Sequence, residues 1–254
     1  MVDRSSLECE LNEIGWWSSW ASVSWLSKYT YIMLSKEFRE PFFNRAGFVT
    51  GEENTVSLVE EAESRFRDDF LDAYLYLQDT EEFASLRGSL VSKGYRIVDG
   101  MSVMEMRTPS FDVNHDLVVK VIDEDECEEW SKTYLSSFYG SLELLDPVVR
   151  IVRRTIGGKG VSFITAAFHG STVGTSALYV SDGVAGVYCV GTVPAFRKTR
   201  VATSVVEFAH RIAQKSGSKL TLQTIHSDNV ESLYMKVGFE RKYTKSLLTK
   251  SLNG

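Results

Sequence analysis

The chain has 254 residues, 43% hydrophobic and 24% charged, a composition that excludes a disordered, collagen-like or low-complexity protein. The formal net charge of -6 argues against a large surface for nucleic acid or for an anionic membrane. The three scattered cysteines (Cys9, Cys127 and Cys189) form neither a disulfide framework nor a zinc pattern, and the opening residues contain no apolar secretion signal. We therefore expect a cytoplasmic protein without a metal site.

The first half opens with a tryptophan-rich stretch. Residues 14–26 hold four tryptophans but are interrupted by serines, and the stretch is shorter than the roughly 20 apolar residues of a membrane span. We interpret it as a buried aromatic cluster, with a partner-binding face as the alternative. The predicted elements that follow are a helix over 57–69, a strand over 73–78, a helix over 81–92 and strands up to 106.

The second half shows clearer periodicity, with turn residues between its apolar segments. Its predicted elements are a strand over 116–123, helices over 125–138 and 146–156 (N-capped by Asp146), strands over 161–168, 172–180 and 184–193, a helix over 198–215, a strand over 219–225, a helix over 230–237, and one or two strands over 240–250. This order predicts an α+β or α/β domain of about 140 residues.

Short matches relate the two halves. Leu-x-Leu-Gln occurs at 75–78 and 220–223, and Lys-Gly-Tyr-Arg at 93–96 corresponds to Val-Gly-Phe-Glu at 237–240. An offset of about 144 residues suggests two copies of one domain rather than a solenoid. We predict a diverged internal duplication, with domains over 1–110 and 111–254.

A basic turn before a predicted helix is the most informative segment. Residues 190–204 read VGTVPAFRKTRVATS, so a strand ends at Pro194 and three cations precede the helix. The first turn of a helix offers free N–H groups and a positive dipole end, which together favour an anion such as phosphate. Basic side chains there oppose the dipole, so they are placed for an external anion. The alternative is an ordinary basic helix start.

A tyrosine on a short helix is the second candidate. Tyr234 lies four residues before Gly238-Phe239, after a predicted strand. It is either a packing residue or, if its hydroxyl faces a cleft, a proton donor.

Together these stretches resemble the GNAT family of acetyl-CoA-dependent N-acetyltransferases over residues 111–254. In that family a strand ends in a hydrophobic-x-Pro element, and a loop R/Q-x-x-G-x-G/A then wraps the pyrophosphate of the cofactor. An Asn or Ser, then Leu-Tyr, then Gly-Phe follow. The matching elements here are 190–194, 197–202, Ser227, Leu233, Tyr234, Gly238 and Phe239. The resemblance implies an α+β fold of two GNAT-like domains, each a central, mostly antiparallel mixed sheet flanked by helices.

The resemblance also implies a mechanism of direct attack by an amine, either of a small molecule or of a protein or peptide, on acetyl-CoA. The backbone of 190–192 would pair with pantetheine, amides of 198–203 would bind the pyrophosphate, and an N–H near Thr192 would hold the oxyanion. Tyr234 would protonate the departing thiolate. The implied cofactor-binding residues are Val190, Gly191, Thr192, Arg197, Lys198, Thr199, Arg200, Val201, Ala202, Thr203, Ser227 and Tyr234.

Three positions depart from the family pattern or leave it open. Arg200 stands where the family has glycine; with an ordinary φ its N–H binds phosphate, and its side chain either adds a contact or narrows the site. Asn229 lies two residues beyond the position at which the family has Asn or Ser. Ser227 occupies that position, so the family's role is assigned to Ser227 and not to Asn229. No acidic general base is evident, and His226 is the titratable candidate, with a water relay or a merely strand-ending histidine as alternatives.

The first half lacks the features of a cofactor site. Leu90 occupies the position of Tyr234, and Gly51-Glu52-Glu53-Asn54 stands where a basic phosphate loop is expected. Two carboxylates repel a pyrophosphate, so we predict that this half is degenerate and binds no CoA. The alternative to an enzyme is a CoA-binding regulatory module with little or no catalysis. A third interpretation has both halves as scaffolds.

Overall fold

The computed structural model describes residues 4–51 and 55–252. The chain divides into two compact units. Unit 1 comprises the residues up to 104 together with 224–231 and those from 241 onwards; unit 2 comprises 105–223 and 232–240. Unit 1 thus includes two segments from the C-terminal part of the chain. The sequence instead predicts a single division of the chain, at residue 110, into two consecutive domains. That division stays a prediction.

From α2 onwards the helices and strands follow the predicted order, whereas α1 and β1 to β3 were not predicted. In the described residues the helices are α1 (Arg4–Trp17), α2 (Val56–Asp68), α3 (Ala84–Ser92), α4 (Cys127–Phe138), α5 (Leu145–Thr155), α6 (Val201–Lys215) and α7 (Glu231–Lys236). The strands are β1 (Ser22–Trp25), β2 (Thr30–Leu34), β3 (Arg45–Phe48), β4 (Ala73–Gln78), β5 (Arg96–Met106), β6 (Leu117–Val121), β7 (Val161–Phe168), β8 (Ser171–Ser181), β9 (Val184–Thr192), β10 (Lys219–Ile225) and β11 (Phe239–Lys250). None of these helices is long and apolar enough to cross a membrane.

The strands of unit 1 pair in a mixed pattern. β1 pairs with β2 and β2 with β3 in antiparallel fashion, and β3 pairs with β4 in parallel. The C-terminal strand β11 then pairs antiparallel with β4, from Lys245 opposite Gln78 to Lys250 opposite Ala73. Apolar side chains of α2, α3 and these strands form the core, including Phe66, Leu75 and Leu90.

Unit 2 repeats this pattern of pairing. β6, β7, β8 and β9 form successive antiparallel pairs, and β9 pairs with β10 in parallel. The apolar faces of α4, α5 and α6 are buried, as the helical periodicity of the sequence predicts. The strand pairing within each unit is mixed and mostly antiparallel, so the predicted α+β fold class is confirmed.

A fully buried ionic cluster occupies unit 1. Glu13 of α1 accepts from Arg45 of β3 at 2.8 Å and from Lys245 of β11, and Lys245 also lies 3.1 Å from Glu10. The Tyr243 hydroxyl donates to Glu10 at 2.6 Å. All four charged side chains are at most 3% exposed, so their charges are balanced inside the protein.

The tryptophan-rich stretch is mostly buried, as interpreted. Trp16, Trp17 and Trp20 are at most 6% exposed, and the Trp17 ring packs against Phe42 at 4.4 Å between centroids. Trp25 is the exception and is 46% exposed on β1.

Two predicted helix starts are wrong. α6 begins at Val201 rather than at 198, because Lys198 and Arg200 take left-handed backbone conformations that no α-helix contains. α5 begins at Leu145, so Asp146 lies in its first turn and is not its N-cap. The tail forms one strand, β11.

Candidate functional site

A bulge distorts β9 before its end. Thr175 of β8 lies opposite Gly191, whereas Ala177 lies opposite Tyr188, so β9 holds one more residue than β8 between these pairs. Cys189 has a φ of 53°, and its carbonyl accepts a hydrogen bond from the Thr175 hydroxyl at 3.1 Å. Bulges bend a strand and redirect its backbone groups, and they recur next to functional sites.

β9 leaves its parallel neighbour beyond the middle of the strand. The β9–β10 register runs from Val184 opposite Lys219 to Val187 opposite Leu222, yet β9 continues to Thr192. The last residues stay paired on the β8 side, where Thr192 lies opposite Gly174. Residues 190–192 therefore extend past the β9–β10 register.

Gly191 is required by the close approach of α4. A Cβ at this position would lie 2.8 Å from the Ser137 Cβ and 2.9 Å from the Phe138 ring. The guanidinium of Arg197 donates to the Ser137 carbonyl at 3.1 Å, so the end of α4 is fastened to the basic turn as well.

The basic turn leads directly into the first turn of α6. Pro194 opens a 3₁₀ turn over 194–196, Arg197 is extended, and Lys198 and Arg200 have φ values of 66° and 67°. The first backbone bond of α6 joins the Ser204 N–H to the Arg200 carbonyl at 3.0 Å. The preceding N–H groups, those of 201–203, come before that ladder and are the ones a helix offers to an anion.

Arg200 does not have the ordinary φ that the sequence analysis assumed for phosphate binding by its N–H. Arg200 adopts the left-handed conformation that suits the glycine of the family pattern. This conformation costs about 1–2 kcal/mol for an L-residue. Its guanidinium lies 2.8 Å from the Asp112 carboxylate, and both side chains are more than half exposed. An exposed pair of this kind contributes little stability and is readily exchanged for another anion.

A polar segment before β6 stabilises the basic turn, and no sequence pattern predicted it. Asn114 donates through its side chain to the Thr199 carbonyl and through its backbone to the Ser204 hydroxyl, both at 3.1 Å. Asn114 and Asp112 therefore contact the left-handed turn and the start of α6 through side chains and backbone. Irregular segments carry no periodicity, so no sequence signal pointed to them.

Tyr234 is buried in α7. It is 8% exposed, and its ring makes an edge contact with the ring of Phe239, with 6.0 Å between the ring centroids. Gly238 has a φ of 103°, and a Cβ there would lie 1.9 Å from the Thr108 carbonyl oxygen. The Gly-Phe element is therefore fixed by conformation and by space, and it sets the end of the helix that carries Tyr234.

His226 and Ser227 lie in unit 1, whereas Tyr234 and residues 190–203 lie in unit 2. The Ser227 hydroxyl donates to the Asp99 carboxylate at 2.6 Å. His226 Nε2 lies 3.0 Å from the Ser102 hydroxyl, which also donates to Glu231 at 3.1 Å. The assigned roles of both residues stay predictions.

Cys189 lies at the bulge of β9 and is buried. Burial raises the pKa of the Cys189 thiol far above its usual range, so the side chain stays neutral, as expected of a small buried residue. All three cysteines are buried, and none of them forms a disulfide. Within 4–51 and 55–252, no group of three or more His, Cys, Asp or Glu side chains is arranged to hold a metal ion.

Comparison with solved structures identifies the fold. The chain is similar to a GCN5-related N-acetyltransferase from Kribbella flavida (TM-score 0.70, 16% identity, covering 98% of this chain and 96% of that one). It is also similar to a GCN5-related N-acetyltransferase from Sphaerobacter thermophilus (0.67, 14%, 91% and 83%) and to a tandem GNAT protein from the clavulanic acid biosynthesis pathway (0.58, 10%, 91% and 86%). No protein-family model and no curated protein sequence matches the chain. The chain thus has the fold of GNAT acetyltransferases.

Proposed function

We propose that this protein is a GNAT-family N-acetyltransferase that transfers the acetyl group of acetyl-CoA to a primary amine by direct attack. The observation that carries the proposal is the sequence of features in unit 2. A bulged strand extends past its parallel register and leads, through an exposed basic turn, into the free N–H groups of α6.

Each part of this arrangement has a role. The N–H groups of 201–203 and the cations Lys198 and Arg200 bind the pyrophosphate, and the backbone of 190–192 pairs with pantetheine. When bound, acetyl-CoA supplies an activated thioester. A backbone N–H near Thr192 stabilises the developing oxyanion, Tyr234 protonates the sulfur, and His226 accepts the proton of the amine.

The chemistry is tested by release of free CoA thiol in a panel of small amines, peptides and protein N-termini. We expect turnover with at least one class of primary amine, and we expect the net negative charge to favour cationic acceptors. No turnover across the panel, with acetyl-CoA bound, would support the second candidate instead. That candidate is a CoA-binding regulatory module, favoured by the left-handed Arg200 and by the absence of an acidic residue on β9 and β10.

We further propose that the two units derive from one domain and that unit 1 has lost the cofactor site. β1 to β4 pair in the same antiparallel, antiparallel, parallel order as β7 to β10. Gly94 has a φ of 90° and Gly238 one of 103°, each four residues after Leu90 and Tyr234. Residues 52–54, which carry the predicted repulsive carboxylates, lie outside the described residues. Acetyl-CoA found in unit 1 by crystallography would refute this proposal.

A further inference from the structure

His226 follows β10 directly and is hydrogen-bonded to a serine of β5, which in turn is hydrogen-bonded to a glutamate. Its Nε2 lies 3.0 Å from the hydroxyl of Ser102 on β5. Ser102 is fully buried, and its hydroxyl donates to Glu231 Oε2 at 3.1 Å. Glu231 is the first residue of α7. Ser102, from a distant part of the chain, therefore joins two nearby residues, His226 and Glu231, in one hydrogen-bonded chain.

The direction of these hydrogen bonds follows from the charge on Glu231. Both Nε and Nη2 of Arg241 lie 2.8 Å from Glu231 Oε1, and these bonds lower the pKa of the Glu231 carboxyl. An ionised carboxylate only accepts, so Ser102 must give it its single proton. The Ser102 oxygen is then the acceptor toward His226, which places a proton on Nε2.

The other ring nitrogen lies against a glycine. A Cβ at Gly100 would stand 2.4 Å from His226 Nδ1 and 2.7 Å from Cε1. The imidazole occupies this position because residue 100 has no side chain. The other acidic groups at this turn are Asp99, which accepts from Ser227, and Asp228.

We propose that Ser102 and Glu231 are positioning residues that hold His226 in its Nε2–H form and so leave Nδ1 to accept the proton of the attacking amine. The proposal rests on the proposed acetyltransferase function. As the C–N bond forms and the C–S bond breaks, the amine proton passes to Nδ1, while Tyr234 protonates the sulfur. The Nε2 proton stays in its bond to Ser102, and the Glu231 carboxylate compensates the charge of the imidazolium.

Replacing the carboxylate by an amide is expected to reverse the chain of hydrogen bonds. In Glu231→Gln the carbonyl keeps Arg241, and the amide NH₂ faces Ser102, which then donates to His226 Nε2. The ring proton must move to Nδ1. Long-range ¹H–¹⁵N spectra of the full-length protein report this directly, with the signals of His226 identified by their loss in His226→Gln.

The expected spectrum shows the Nε2–H form in the wild type and in the exposed control Glu240→Gln, and the Nδ1–H form in Glu231→Gln. Ser102→Ala removes the acceptor without reversing it, so both forms should appear. An unchanged Nε2–H form in Glu231→Gln, or an Nδ1–H form in the wild type, would overturn the proposal.

Kinetics test the catalytic consequence. We expect kcat to fall about hundredfold in Glu231→Gln and about tenfold in Ser102→Ala, with the KM for acetyl-CoA unchanged. Full activity of Glu231→Gln or His226→Gln would refute the role of Nδ1. If the wild type does not bind acetyl-CoA, the proposed function is refuted. The spectra would still determine the direction of the hydrogen bonds.

Discussion

The two units share a strand pairing order but differ in the exposure of their cationic side chains. In unit 1, Arg45 at the start of β3 and Lys245 on β11 are buried against Glu13 and Glu10. In unit 2, Lys198 and Arg200 lie in the turn between β9 and α6 and are exposed. Cations that are neutralised inside the protein cannot attract an external phosphate, whereas exposed cations beside a helix start can.

The same comparison extends to the residue four positions before a positive-φ glycine, Gly94 in unit 1 and Gly238 in unit 2. Unit 1 has Leu90, fully buried in the apolar core, and unit 2 has Tyr234, also buried but with a hydroxyl that can give up a proton. One framework thus serves packing in unit 1, and in the proposed function it serves chemistry in unit 2.

The largest expected effect tests the charge balance of unit 1. Glu13→Gln leaves Arg45 and Lys245 without one of their buried counterions, so we expect a loss of about 3–5 kcal/mol in the free energy of unfolding. Urea denaturation measures it. The matched control is Glu60→Gln, whose partner Lys93 is partly exposed and whose loss should be barely measurable. Equal effects of the two variants would contradict the contribution assigned to burial.

The stability difference between the wild type and Glu13→Gln should depend on pH. Burial opposes ionisation of Glu13, but the charges of Lys245 and Arg45 outweigh it and lower the pKa of the carboxyl. A lowered folded-state pKa contributes stability above the unfolded value and loses it as the pH falls. The difference should therefore shrink below about pH 4, and a gap that widens on acidification would refute this sign.

Removing the hydroxyl of Tyr234 is expected to separate binding from chemistry. In Tyr234→Phe we expect kcat to fall about a hundredfold while acetyl-CoA affinity stays the same, because only the proton donor is lost. The control is Tyr74→Phe on β4 of unit 1, which should leave turnover unchanged. Turnover of Tyr234→Phe at the wild-type rate would exclude the hydroxyl as the donor.

The smallest expected effect concerns the left-handed turn. Arg200→Gly relieves the strain of a positive φ, and Arg200→Val increases it. We therefore expect the free energy of unfolding, measured by urea denaturation, to be about 1–2 kcal/mol larger for the glycine variant than for the valine variant. Arg200→Lys should match the wild type. Identical stabilities of the glycine and valine variants would contradict the observed conformation of Arg200.

Local patterns predicted the elements from α2 onwards, since periodicity, turn glycines and Pro194 are visible within a few residues, but they did not predict α1 or β1 to β3. The sequence could not predict the left-handed Lys198 and Arg200, because neither residue type favours that conformation. Nor could it predict that Lys245 meets Glu10 and Glu13, because these charges are more than 200 residues apart in the chain. The chain from His226 to Glu231 was missed for the same reason, since Ser102 completes it from a distant strand.

Calorimetric titration with acetyl-CoA tests the central claim most directly, because unit 2 alone is proposed to bind the cofactor. The account predicts one site per chain, with affinity about tenfold weaker in Lys198→Glu and unchanged in the unit 1 control Lys93→Glu. Two sites per chain, no binding at millimolar ligand, or equal affinities of wild type and Lys198→Glu would contradict it.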